Sequence, residues 1–140
     1  MTRLIGRNVV SPQEWKIVRN SAGIPAGPVL VPVSLWKARR FELVQREYEH
    51  GWTFGVWLCE EDSIREIEQD VHDFAVIAVE FDRYGDGKGF EIARKLRRVL
   101  GFTGELRAIG DIGQADIISL KMAGFDSFGF LREERLAIAV

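Results

Sequence analysis

Apolar residues fall into short blocks whose spacing alternates between two periods, and that alternation sets the expected architecture. Ala75-Val76-Ile77-Ala78-Val79 is apolar on both pleat faces, as in a strand buried between two layers of helix, and marks the centre of a sheet. Pro28-Val29-Leu30-Val31-Pro32-Val33 predicts the first strand, near an edge, because Pro32 has no N–H to give to a central ladder. Residues 54–58, 106–109 and 127–130 predict three more strands. Between the strands the spacing changes to three and four. Residues 35–48 predict a helix with Ser34 as N-cap and Gly51 as its stop. Residues 63–74 predict another, capped by Asp62 or Ser63, with Ile64, Ile67, Val71 and Phe74 inward. Residues 90–100 follow with Phe90, Ala93, Leu96 and Leu100 inward and Gly101 at the end; residues 114–122 follow with Ile117, Ile118 and Leu120 available for packing.

Strands alternating with helices imply βαβ units, right-handed crossovers and a parallel sheet. The expected fold is α/β: a mostly parallel five-stranded sheet flanked by helices, either flavodoxin-like or an open half of a (βα) barrel. Residues 28–140 form the single α/β domain in this reading. Residues 1–27 form an amino-terminal β appendage and linker, with a hairpin at Leu4-Ile5 and Val9-Val10, a short helix or irregular segment over residues 12–18, and a linker over residues 21–27. The apolar end, Leu136-Ala137-Ile138-Ala139-Val140, is suited to packing on the domain or joining a partner's sheet edge.

Composition narrows the function classes. With 140 residues and 46% hydrophobic content, one ordinary core is expected, needing neither a metal nor a disulfide. The lone Cys59 cannot form an internal bridge and suits a reducing compartment. No leader-like amino terminus and no apolar run of about 18 residues is present, so a cytoplasmic protein that does not engage membranes is expected. A net charge of −2 argues against a nucleic-acid binder. Charge is nonetheless segregated: residues 60–73 are acidic, whereas residues 88–98 carry Lys88, Arg94, Lys95, Arg97 and Arg98. Such blocks are solvated helix faces or interaction surfaces.

Ligands of open α/β sheets bind beyond the carboxyl ends of the strands, which directs attention to Glu80 through Phe128. Gly85-Asp86-Gly87-Lys88-Gly89 follows a strand and opens a helix. It reads either as a tight turn or as a cradle in which backbone N–H groups and Lys88 bind an anion. It lacks the spacing of a Walker loop and the position-3 and position-12 ligands of a calcium loop. Arg107 shares a pleat face with Glu105 and Asp111, and alternation on the preceding strand places Glu80 and Asp82 opposite. Arg107 is therefore either half of a structural ion pair with Glu80 or Asp82, or an oxyanion clamp with Asp82 and Asp111 at its mouth. His50 and His72 are isolated with no matched third ligand, which argues against a zinc site, and carboxylates beside Cys59 disfavour a thiolate nucleophile.

The ordered set Pro25-Ala26-Gly27-Pro28-Val29, Gly55-Val56-Trp57-Leu58, Asp86-Gly87-Lys88-Gly89-Phe90, Gly104-Glu105-Leu106-Arg107-Ala108-Ile109-Gly110-Asp111 and Gly124-Phe125-Asp126-Ser127-Phe128 resembles the bacterial family "domain of unknown function 934". Members look like accessory or oxidoreductase-like proteins of sulfite reduction, often encoded beside sulfite reductase. The chain departs from the family pattern at Ile112-Gly113-Gln114-Ala115-Asp116, and at Ala123, where members often carry cysteine. The resemblance implies an accessory protein of assimilatory sulfite reduction; such a module is expected to dock sulfite reductase or another sulfate-assimilation enzyme through its basic helix around Arg94, Arg97 and Arg98 or through its acidic helix. The alternative is a small oxidoreductase-like enzyme or anion- or nucleotide-binding domain built on Asp82, Asp86, Gly87, Lys88, Gly89, Arg107 and Asp111. No catalytic residue is assigned, and no motif specifies a cofactor or an oligomeric state. Neither a Gly-x-Gly-x-x-Gly fingerprint nor a Cys-x-x-Cys pair is present.

Overall fold

Among the described residues, every strand lies parallel to its neighbours and beside the strand that precedes it in the chain. The computed structural model describes residues 15–19, 23–82 and 87–130. Its elements are β1 (Lys16–Ile17), β2 (Val29–Pro32), α1 (Val33–His50), β3 (Phe54–Cys59), β4 (Val76–Phe81), α2 (Lys88–Arg94), β5 (Glu105–Gly110), α3 (Ile117–Ala123) and β6 (Ser127–Phe130). The six strands are ordered β1-β2-β3-β4-β5-β6. Sequential order with crossovers of one hand stacks the connecting segments on a single face, so the sheet curls as an open half of a (βα) barrel. A flavodoxin-like sheet would need its strand order to reverse at one point.

The sixth strand comes from the stretch expected to be helical or irregular. Lys16 N–H donates to the Pro28 carbonyl at 3.1 Å and Val18 N–H to the Leu30 carbonyl at 2.8 Å, extending the sheet outside β2. Two residues are too few to show a period, so backbone pairing alone reveals this strand. The expected hairpin at residues 4–10 and the apolar end at 136–140 lie outside the described residues.

The core lies between the convex face of the sheet and its connecting segments. Val29, Val31, Phe54, Val56, Leu58, Ile77, Val79, Phe81, Leu106, Ala108 and Phe128 meet Leu35, Trp36, Leu43, Ile67, Val71, Phe74, Ala93, Leu96 and Leu120 there. Burial of these side chains, at roughly 1.5–3 kcal/mol each, is the main stabilising force. β4 is buried on both faces, as its composition requires, but helices cover only one. On the concave face, Leu30, Val76, Ala78 and Ile109 pack against Trp15 and Trp57.

Two helical segments differ from expectation. Residues 63–74 form two 3₁₀ turns, Ile64–Glu66 and Val71–Asp73, closed by bonds such as Ile67 N–H to the Ile64 carbonyl and Phe74 N–H to the Val71 carbonyl. Ile67, Val71 and Phe74 still point inward, but Glu66 and Asp70 would repel at i,i+4 in a continuous α-helix. Residues 88–99 begin as α2 and finish in a π turn, Lys95–Val99, with Leu100 N–H on the Lys95 carbonyl. Helix α1 starts two residues earlier than a Ser34 N-cap allows, with Pro32 at its N-cap. On α3, Ile118 faces solvent at 74% exposure instead of packing, because Leu120 and Ala123 take the inward stripe.

Candidate functional site

At the carboxyl ends of the strands, the central residue is Glu60, one position beyond β3. It is 6% exposed, and its carboxylate accepts from Asp82 N–H at 2.9 Å through Oε1 and from Gly89 N–H at 3.0 Å through Oε2. Glu60 thus joins the end of β3, the end of β4 and the first turn of α2. The Gly89 N–H, a donor the glycine loop would offer an anion, is already given to the chain's own carboxylate. Gly89 also allows close approach: a Cβ there would lie 2.4 Å from the Phe81 ring, which is held edge-on between Phe90 and Phe125. Gly110, at φ 93°, ends β5 where a Cβ would meet the Phe81 carbonyl at 2.6 Å.

Asp82, Gly87, Lys88 and Gly89 cluster around this clamp, while Asp86 lies outside the described residues. Asp111 follows β5, and its backbone N–H bonds the Phe81 carbonyl at 2.9 Å. A cavity of about 530 Å³ opens between the β3 end and α2, with Glu60, Glu61, Asp62, Glu68, Glu91, Lys88, Lys95 and Arg65 in its lining. Carboxylates outnumber cations there, so the field does not favour a multiply charged anion.

Arg107 lies elsewhere. Its register partner on β4 is Ala78, four residues before Asp82, and Asp111 is likewise four residues further along; at the rise of a strand this separation is about 13 Å. The structure brings Arg107 together with neither. Its partner is Glu105, whose Oε2 accepts from Arg107 Nη2 at 2.7 Å, from Nε at 3.0 Å and from Ser127 Oγ at 2.5 Å. The indole of Trp15 covers the guanidinium, 5.4 Å from ring centre to Cζ. Glu80, the partner expected from alternation, is held instead by both terminal nitrogens of Arg19, at 2.9 and 2.7 Å. Arg19 stacks over Trp57, whose Nε1 donates to the Val18 carbonyl at 3.0 Å. Residues 15–19 therefore form a strap across the concave face, fastened by Trp15 at one end and Arg19 at the other. Hydrogen bonding to Glu80 raises the Arg19 pKa, so this guanidinium stays charged.

The three arginines of the basic segment have different roles. Arg97 donates to the carbonyls of Gly124, Phe102 and Gly104 at 3.0, 2.9 and 2.8 Å and pairs with Asp126, whose carboxylate also receives Leu106 N–H at 3.0 Å. It fastens the amino-terminal ends of β5 and β6, where conserving the fold is the natural use of a charge. Arg94 and Arg98 are exposed, as is Lys95. Cys59 donates its thiol to Glu61 across 3.7 Å, and burial pushes the Cys59 thiol pKa up, so the thiolate is disfavoured. Among the described residues no group of three His, Cys, Asp or Glu side chains is placed to hold a metal, and no helix is long and apolar enough to cross a membrane.

Sequence reasoning missed Glu60, Arg19, Trp57 and Asp126. Glu60 had a readable signal, being the first residue after a strand and facing the next unit's helix start, but the acidic run that follows disguised it. Arg19 had none, since the two-residue β1 that places it is invisible to periodicity.

No curated protein and no solved structure matches the chain. Residues 55–140 match the family described as "Bacterial protein of unknown function (DUF934)", a span running from β3 through β6 and including Glu60, Gly89, Arg97 and Arg107. With more than half of its length matched, the chain belongs to the DUF934 family.

Proposed function

We propose that this protein is a non-catalytic accessory module of assimilatory sulfite reduction, docking an acidic surface of sulfite reductase or another sulfate-assimilation enzyme. The observation that carries the reading is the outward face of α2 and its π turn. The side chains of Arg94, Lys95 and Arg98 are exposed there and make no hydrogen bond or ion pair with any described residue. Beside them Val99 is 74% exposed, and on the adjoining α3 Ile118 and Met122 are 74% and 80% exposed. Cations around exposed apolar side chains suit an acidic protein surface, the charges steering encounter and the apolar groups holding the contact.

The small-enzyme and anion-binding readings have less support. Glu60, Glu80, Glu105 and Arg107 all have partners within the chain, and no nucleophile with an orienting base is present among the described residues. The test is a binding titration against purified sulfite reductase. Arg94→Glu with Arg98→Glu should weaken binding at least about tenfold and remove most of its salt dependence, while Lys88→Ala leaves it unchanged. Affinity unaltered by the double reversal would reject this face. Arg97 is left intact because its loss would unfold the strand ends and mimic a docking defect.

A further inference from the structure

Helix α1 presents an apolar stripe to solvent against which none of the described residues packs. Phe41 is 80% exposed, Val44 49% and Tyr48 89%, while Leu35, Trp36 and Leu43 fill the opposite face. Positions 41, 44 and 48 follow the i, i+3, i+7 spacing of a helix-pairing seam. All lie beyond the break in helical geometry at Arg39, so they share one regular surface.

The charges along α1 are arranged against the helix itself. Its first half carries Lys37, Arg39 and Arg40 with no acid in the first turn, and its second half carries Glu42, Glu47 and Glu49. The macrodipole favours the reverse order. Arg46 does not restore the balance at the surface, since it turns inward onto the carbonyls of Ile24, Pro25 and Gly27. An antiparallel copy of the same helix cancels both conflicts at once. Arg40 and Glu47 are seven residues apart on the same flank of the stripe and straddle Val44. A two-fold axis near Val44 therefore sets Arg40 of each copy against Glu47 of the other, and Phe41 against Tyr48.

We propose that α1 is the contact through which two copies of this chain associate, as an antiparallel helix pair closed by two symmetric Arg40 to Glu47 ion pairs. A two-turn seam is small for a protein interface, so the dimer is of the weak class, with a Kd in the micromolar range. This surface is separate from the cationic face of α2, and either can fail without the other.

Sedimentation equilibrium of the full chain over about 1–500 µM measures the association directly. A reversible monomer–dimer equilibrium is expected, and Phe41→Ser with Tyr48→Ser should leave only monomer while the circular dichroism spectrum is unchanged. Arg40→Glu and Glu47→Arg should each weaken the dimer about tenfold, and the two together should restore it, because the symmetric pairs are then remade with their signs exchanged. A wild-type chain that stays monomeric to the highest concentration overturns the proposal. So does a dimer that survives the double serine variant, or a charge exchange that fails to recover the loss.

Discussion

Glu60 shows how one side chain decides between a binding loop and a structural turn. Its carboxylate occupies the position an external anion would take at the start of α2, and it does so with 6% exposure. Truncating it leaves the N–H groups of Asp82 and Gly89 without an acceptor. Each buried orphan costs about 1–3 kcal/mol, but the adjoining cavity admits water, so Glu60→Ala should lose about 2 kcal/mol in urea unfolding. Glu60→Gln keeps one acceptor oxygen and should lose about half as much. An alanine variant as stable as the parent would show that the clamp carries no weight. Cys59 supplies a test in pH. Burial raises its pKa in the folded chain above the ordinary 9.0, so its contribution to stability is complete below pH 9 and is lost as the pH rises further. The stability difference between the parent and Cys59→Ser should therefore be flat at neutral pH and shift in favour of serine in the alkaline range.

At the scale of elements, strand and helix order is legible because Val76 through Val79 and Phe54 through Leu58 are unbroken runs without a charge, and Leu106, Ala108 and Ile109 form a third run interrupted only by Arg107, all between amphipathic stretches. What escapes is whatever the backbone or local repulsion decides. The acidic stretch 63–74 keeps its inward Ile67, Val71 and Phe74 yet breaks into 3₁₀ turns, and two-residue β1 leaves no periodic trace. The fit of α2 on β4 depends on Gly89 lying flat against Phe81. Gly89→Ala should cost about 2 kcal/mol by overpacking, and Phe81→Leu added to it should cost less than Phe81→Leu alone, since the smaller side chain makes room. Thermal and urea unfolding of the two single variants and the double variant would measure that coupling. Strict additivity would mean that helix and strand do not press on each other at this point.

For the whole molecule, alternation identifies an α/β fold but is silent on strand order, which is a matter of how crossovers accumulate. Six strands in sequential order place the helices on one side and leave a concave face closed by Trp15, Trp57 and Arg19. The same distinction explains the candidate site. That Arg107 would be paired is legible from its place in a buried strand, but register makes the partner Glu105 and hands Glu80 to Arg19. The charges at the strand ends and on the concave face accordingly hold the half-barrel together, whereas Arg94, Lys95 and Arg98 on the outward face of α2 are exposed. A thermal-shift panel with sulfite, sulfate, phosphate, flavin nucleotides, nicotinamide dinucleotides and adenylyl sulfates tests that division most directly. The account predicts no stabilisation by any of them. A ligand that stabilises the parent, by about 2.7 kcal/mol at 100 times its Kd, and loses that effect in Lys88→Ala would make the loop before α2 a binding site and contradict it.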